Sequence, residues 1–212
     1  MPKHFKSFIL RLFCEELPKP EGSESETTDN FHSNLMEVMT FKKISESTLN
    51  KYIVEYKFHW IINKHIFVKM ELCTDSLDQV IKNKHKIFER NPKQDMSQLE
   101  YFFTFQIFKE LTESLQFLHT LRPPVVHLDL KPKNVLITDR NNDNHFLKIT
   151  DFGGAKFLED NKTKTLTSAQ ITPRYVAPEI MNGQHFKTQA DIYSLGIITS
   201  ELFCVDIYAY VI

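Results

Sequence analysis

Four short runs hold the residue types able to do chemistry: His127-Leu-Asp-Leu-Lys-Pro-Lys-Asn134, Asp151-Phe152-Gly153, Ala177-Pro178-Glu179 and Asp191-Ile-Tyr-Ser-Leu-Gly196. Asp129, Lys131 and Asn134 share one short loop, and Asp151 follows after one strand pair. Carboxylate and amide oxygens are hard ligands of the kind Mg2+ takes. A lysine among them adds a compact positive charge. Such a set suits phosphoryl transfer, which spreads negative charge over the moving group and needs cations and an oriented nucleophile. Any one run alone reads equally well as a turn carboxylate. Four in this order are very hard to produce by chance.

The order matches the signature set of protein kinases: the catalytic loop, the D-F-G metal site and the A-P-E end of the activation segment. From about Leu35 to Ile212 the chain resembles a eukaryotic protein-kinase domain of the serine/threonine type. The resemblance implies that Asp129 accepts or orients the substrate hydroxyl, and that Asn134 and Asp151 hold Mg2+. It implies that Lys131 contacts the γ-phosphate of ATP and that Thr172 bridges Lys131 and Asp129. Gly153 would let the backbone swing after the metal ligand. Asp191 resembles the buried helix aspartate that binds the catalytic-loop backbone.

Upstream, Phe67-Val-Lys-Met-Glu-Leu-Cys73 resembles the strand and hinge that grip adenine. Met70 would stand at the back of the pocket, Glu71 and Cys73 would bond the base through their backbones, and Leu136 would pack beneath it. A plain core strand is the competing reading of this segment. The stretch from Phe67 to Ile81 is somewhat similar to translation-initiation-factor kinases and Wee-type kinases. Thr172 to Glu179 resembles the substrate-docking end of the activation segment, with Ile171 where the family has glycine. Thr163, Thr165, Thr167 and Ser168 are candidate phosphorylation sites in that segment, or simply a solvated Thr-rich loop.

Some family features are not present. No G-x-G-x-x-G occurs and no V-A-I-K strand precedes the first helix. The nearest candidate, Phe8-Ile-Leu-Arg11, places Arg11 where the family has lysine, and an arginine fork does not replace a lysine point charge. Glu37 is the choice for the helix glutamate that pairs with that position, a surface glutamate being the alternative. Leu128 stands where an arginine is common. The arginine that ordinarily pairs with Glu179 is not found after Asp191, so Glu179 is expected to be a buried carboxylate without a partner.

The elements that position these groups follow from the patterning. Residues 15–34 are polar, acidic and punctuated by Pro18, Pro20 and Gly22, which suggests a mobile linker. Leu35 to Ile44 looks helical. Tyr52 to Trp60 and His65 to Leu72, rich in aromatic and β-branched residues, read as an antiparallel hairpin turning at Asn63-Lys64. Leu77 and Val80-Ile81 fit a short helix. Ser97 can cap a longer one whose apolar residues Ile107, Leu111, Leu115 and Leu118 recur at helical spacing and which stops before Pro123. Two short strands, Asn134 to Ile137 and Phe146 to Ile149, flank the turn-forming run 139–144. Ile192 to Phe203 is apolar enough to be buried on most sides.

The expected fold is therefore α+β and two-lobed, protein-kinase-like: a truncated small β-rich lobe hinged to an incomplete, mainly α-helical lobe. Residues 1–34 form an atypical N-terminal segment and acidic linker, 35–73 a partial small lobe with the hinge, and 74–212 a partial large lobe. The expected activity is transfer of the ATP γ-phosphate, with Mg2+, to Ser or Thr of protein substrates. A catalytically impaired scaffold is the alternative. The 212 residues carry 26 Lys and Arg against 27 Asp and Glu, a net charge of −1. That balance argues for neither a nucleic-acid nor a membrane partner. Three widely spaced cysteines suit a reducing compartment, cytoplasmic or nuclear. No run approaches the ~18 apolar residues that span a bilayer.

Overall fold

The computed structural model describes residues 7–12, 24–46, 51–63, 65–91, 94–138, 145–158, 173–183 and 185–206. Near the N-terminus, strands β1 (Ser7–Leu12), β2 (Tyr56–Ile62) and β3 (His65–Glu71) form an antiparallel sheet in the order β1-β3-β2. The expected hairpin is present, and Asn63 makes its turn with φ 49°, a left-handed conformation that Asn tolerates. β3 alternates between fully and partly buried residues, and Ile66, Val68 and Met70 form its buried row. Helix α1 (Glu24–Glu46) covers the sheet with Val38, Phe41 and Ile44.

This helix begins at Glu24, inside the stretch whose composition suggested a linker. No proline or glycine follows Gly22 there, and acidic residues at 24, 26 and 29 favour the positive N-terminal end of a helix.

The larger body holds α2 (Leu77–Ile87), α3 (Gln98–Thr120), α4 (Pro178–Met181) and α5 (Gln189–Leu202). Short strands β4 (Asp75–Ser76), β6 (Val135–Ile137) and β7 (Leu147–Ile149) form a second sheet, and β5 (Val125–Val126) pairs with β8 (Lys156–Phe157). The Ser97 hydroxyl caps α3 by accepting from the Glu100 N–H at 3.1 Å. Ile107, Leu111, Leu115 and Leu118 all enter the core. The segment after α1 is fastened to β7: the Val54 N–H donates to Ile149 O at 3.0 Å, and the Ile149 N–H donates to Tyr52 O at 2.8 Å. These bonds lock the sheet-and-helix lobe to the strand that leads into Asp151. Leu195, Ile197, Ile198 and Leu202 of α5 are buried, but Ile192, Tyr193 and Gly196 lie along an exposed stripe. α5 is thus covered on fewer sides than its composition implied.

A buried ionic knot holds α2, α3 and the end of α5 together. The Glu100 carboxylate is fully buried and accepts from Arg90 Nε at 2.6 Å and NH2 at 2.9 Å. Lys84 Nζ lies 3.7 Å from the same carboxylate and donates to the Leu202 carbonyl. The Arg90 guanidinium holds the Glu100 carboxyl below the usual carboxylate range. Removing the one anion would leave two cations in the interior, and breaking a buried pair this way costs about 3–5 kcal/mol. Glu100→Ala is therefore expected to lower the unfolding free energy by that amount in urea titrations. A loss under about 1 kcal/mol would show that the knot is not a structural fastener.

Candidate active site

The catalytic loop is held from below by one carboxylate. Asp191, fully buried in the first turn of α5, accepts the His127 N–H at Oδ2 and the Leu128 N–H at Oδ1, both at 2.9 Å. His119, in the last turn of α3, lies 2.8 Å from Oδ2 through Nε2, and a carboxylate only accepts, so this nitrogen carries the proton. Leu128 has φ 64°, a strained conformation for leucine, and it persists because its own N–H and that of His127 are bound to Asp191. The Leu128 side chain packs with Val126, Val176, Ala177 and Ile180 in a second hydrophobic cluster.

Above this anchor, Asp129, Lys131 and Asn134 form one hydrogen-bonded group. Lys131 Nζ donates to Asp129 Oδ2 at 2.6 Å. Asn134 Nδ2 donates to Asp129 O at 2.9 Å and to Oδ2 at 3.1 Å. Among the described residues Asp129 Oδ1 takes no hydrogen bond, and with its nitrogen committed, Asn134 keeps its Oδ1 as a free acceptor. The Thr150 N–H donates to Asn134 O at 3.0 Å, which sets Asp151 beside the loop. His127 Nε2 donates to Thr150 O at 3.1 Å, which leaves Nδ1 to accept the Asp129 N–H at 3.4 Å. Asp151 is exposed with φ 64°, while Phe152 is buried between the rings of Phe41 and His127. The left-handed backbone lies two residues before Gly153, at Asp151, and Gly153 itself has no positive φ. A Cβ at 153 would lie 2.6 Å from Glu37 Oε1, so the Glu37 carboxyl would have to shift to admit one.

Glu37 therefore points into the cleft and is not a surface residue. It lines a small pocket with Val68, Met70, Asp151 and Phe152. Burial, reinforced by the Asp151 carboxylate and partly offset by Lys156, pushes its carboxyl up to about 7. Arg11 does not match this position: the strand register pairs it with Phe67, whereas Val68 and Met70, the β3 residues beside Glu37, pair with Leu10 and Phe8. Among the described residues Glu37 has no ion-pair partner.

Met70 ends the buried row of β3, and the hinge leaves from it. The Glu71 N–H donates to Glu55 O at 3.0 Å, and the Glu71 carboxylate pairs with Lys148 at 2.6 Å. The Thr74 N–H and hydroxyl both bond Ile137 O, and Ser76 pairs with Leu136, so the hinge lies against β6 and its Leu136. The Cys73 backbone N–H has no protein acceptor among the described residues. Burial pushes the Cys73 thiol up to about 11, so it is a thiol and not a thiolate at neutral pH.

Thr172, Ile171, Thr163, Thr165, Thr167 and Ser168 lie outside the described residues. Glu179 is only partly buried, so the penalty expected for an enclosed unpaired carboxylate does not arise. Three groups with structural roles here had no signal in the chain. His119, Lys148 and Glu201 meet their partners only across 72, 77 and 26 positions of sequence.

The Glu37 carboxyl gives a pH signature. Its folded pKa of about 7 exceeds the ordinary value of 4.5, so between those values the folded state holds a proton that the unfolded chain has lost. This contribution is complete below about pH 4.5, declines as pH rises through 7, and amounts to roughly 3 kcal/mol at most. Glu37→Gln is expected to be more stable than the native protein at pH 8 and about equal to it at pH 4.5, by urea unfolding. The same difference at both pH values would rule out a buried, proton-binding Glu37.

The protein kinase domain family matches residues 19–210. Similar curated proteins include MAP kinase-activated protein kinase 2 of Mus musculus, 39% identical over 99 residues, which is 47% of this chain and 24% of that protein. A probable serine/threonine-protein kinase of Dictyostelium discoideum is 37% identical over 110 residues, 52% of this chain and 11% of the relative. Stress-activated protein kinase alpha of the same organism is 29% identical over 170 residues, 78% of this chain and 24% of the relative. The chain thus spans about a quarter of the length, or less, of these proteins. Matched along nearly all of its length, the chain belongs to the protein kinase family.

Proposed function

We propose that this chain carries the catalytic centre of a protein serine/threonine kinase that transfers the ATP γ-phosphate to Ser or Thr hydroxyls of protein substrates. The arrangement of Asp129 supports the reading most directly: one carboxylate oxygen is tied to Lys131 and Asn134, and the other is left to accept. Asp129 Oδ1 takes the proton of the substrate hydroxyl as its oxygen bonds to the γ-phosphorus and the bond to the β-phosphate oxygen breaks. Lys131 stands close enough to share its charge between Asp129 and the transferred group. Asn134 Oδ1 and the exposed Asp151 are hard oxygen donors suited to Mg2+, which would neutralise charge on the phosphates when bound. We assign Thr172 to bridging Lys131 and Asp129, and the backbones of Glu71 and Cys73, with Met70 behind and Leu136 beneath, to adenine. Among the described residues no helix is long and apolar enough to cross a membrane.

In the full-length protein, Asp129→Asn is expected to remove at least a hundredfold in kcat (about 2.7 kcal/mol of barrier) with nucleotide affinity nearly unchanged. Asp151→Asn is expected to weaken Mg·ATP binding as well. Equal and small effects from both, measured by peptide phosphorylation and nucleotide titration, would favour the scaffold reading.

Leu128 leads to a second expectation. An uncharged leucine packed against Val176 and Ala177 cannot receive a phosphate, so its ordering rests on apolar contact and on Asp191. Alanine at Thr163, Thr165, Thr167 and Ser168 together is expected to change kcat by less than tenfold. A hundredfold loss restored by acidic replacements would show that the loop is switched by phosphorylation.

A further inference from the structure

Strand β2 ends the small sheet. In the order β1-β3-β2 one edge of β2 pairs with β3, and among the described residues no strand pairs with the other. Alternate residues of an antiparallel edge strand turn their N–H and C=O groups outward, so this edge presents a row of donors and acceptors. The beginning of the row is taken. The Tyr56 N–H donates to Ser45 Oγ of α1 at 2.9 Å, and the register shifts between Tyr56 and Phe58. Residues 58–62 then run in regular register with β3.

Edge strands are ordinarily guarded by proline, by charge or by a covering loop. β2 has neither proline nor glycine, and its one charged residue, Lys57, is neutralised by Glu55. The side chains beside the edge are apolar: Phe58, Ile61 and Ile62 are 50%, 48% and 52% exposed. On the face turned away from α1, Phe58, Trp60 and Ile62 oppose Lys69, Phe67 and His65 of β3. The Trp60 and Phe67 rings stack with centroids 5.4 Å apart, and the Phe58 ring lies 5.6 Å from Trp60. An aromatic row thus crosses the sheet and stops at the open edge.

These features define what can cover it. The outward main-chain groups call for an extended strand, and the flanking side chains call for apolar residues. The neutralised Lys57 leaves no net charge to hold an ionic partner. β2 itself meets all three requirements. In an antiparallel two-fold pairing centred on Trp60, Phe58 of one copy stands opposite Ile62 of the other, His59 opposite Ile61, and Trp60 beside its own counterpart. Aromatic and aliphatic side chains opposed in this way stabilise a sheet, and no charge faces a like charge.

We propose that the free edge of β2 is a self-association surface, at which a second copy of this chain adds its own β2 about a two-fold axis through Trp60. Two three-stranded sheets then form one of six strands, with the aromatic row continuous across the axis. The contact is isologous and closes at two copies, because each edge is consumed by the other. A strand contact of this length is smaller than a standard interface, so the dimer dissociates with a Kd on the order of 10–100 µM. The proposal is independent of the kinase reading.

The test follows the full-length protein by sedimentation velocity over about 1–200 µM, a range that brackets this Kd. The native protein is expected to pass from monomer to dimer. Phe58→Glu and Ile62→Lys are each expected to weaken the dimer at least tenfold, and mixing the two should restore it, because residue 58 of one copy meets residue 62 of the other. A second measurement does not depend on those variants folding well. Phe58→Cys/Ile62→Cys should form a disulfide-linked dimer on mild oxidation, above the background of the native cysteines. Either single cysteine should not, since its own counterpart lies four positions along the strand, about 13 Å away. A native protein that stays monomeric throughout the range, or a dimer that both charged variants leave intact, would overturn the proposal. So would growth beyond the dimer, or cross-linking as efficient in a single-cysteine variant as in the double.

Discussion

The site depends on a single buried carboxylate. Asp191 is enclosed in α5, and an isolated charge there would be prohibitively expensive without donors. Three groups supply them: two consecutive N–H groups of the catalytic loop and the imidazole of His119. The same bonds hold Leu128, just before Asp129, in a conformation it would not adopt freely. Desolvation thus favours this loop geometry, because another backbone path would leave the buried charge with His119 alone.

A second constraint ties the two lobes. The segment between α1 and β2 shares backbone bonds with Ile149, two residues before Asp151, and Phe152 inserts beneath Phe41 of α1. These contacts link α1 to the segment that carries Asp151. Glu37 is placed by the same packing, against Gly153, and its carboxyl is pushed toward neutrality by burial and by Asp151. An ammonium ion at that point would lower it again, but the strand register offers leucine and phenylalanine in the row beside Glu37. Lys156 partly offsets the shift at Glu37.

Charge is handled differently farther from the cleft. Glu100 gathers Arg90 and Lys84 in the interior, where each lost partner would leave an uncompensated charge. Glu201 gathers Arg174 and Tyr175 nearer the surface, where the cost is smaller and the arginine still faces solvent. One pairing fixes the helices, while the other leaves its arginine at the surface.

Much of this was legible in the chain. The period of Ile107, Leu111, Leu115 and Leu118, the Ser97 cap and the Asn63 turn are local features, and local propensity with amphipathic patterning determines them. The catalytic set was legible because Asp129, Lys131 and Asn134 lie within one short loop, where spacing constrains geometry. Other outcomes depended on contacts that no local pattern encodes. Polar composition hid the first turns of α1, since a helix end stabilised by acidic residues reads like a linker. Whether Glu37 faced solvent or Gly153, and whether Arg11 shared its row, turned on strand register, where a one-residue shift exchanges faces. The sequence by itself determined which carboxylate, amide and ammonium groups the loop carries and in what order they occur. Only the tertiary structure decided which carboxylates are paired, which keep a free oxygen and which are driven toward neutrality, because desolvation and long-range partners exist only once the chain has packed.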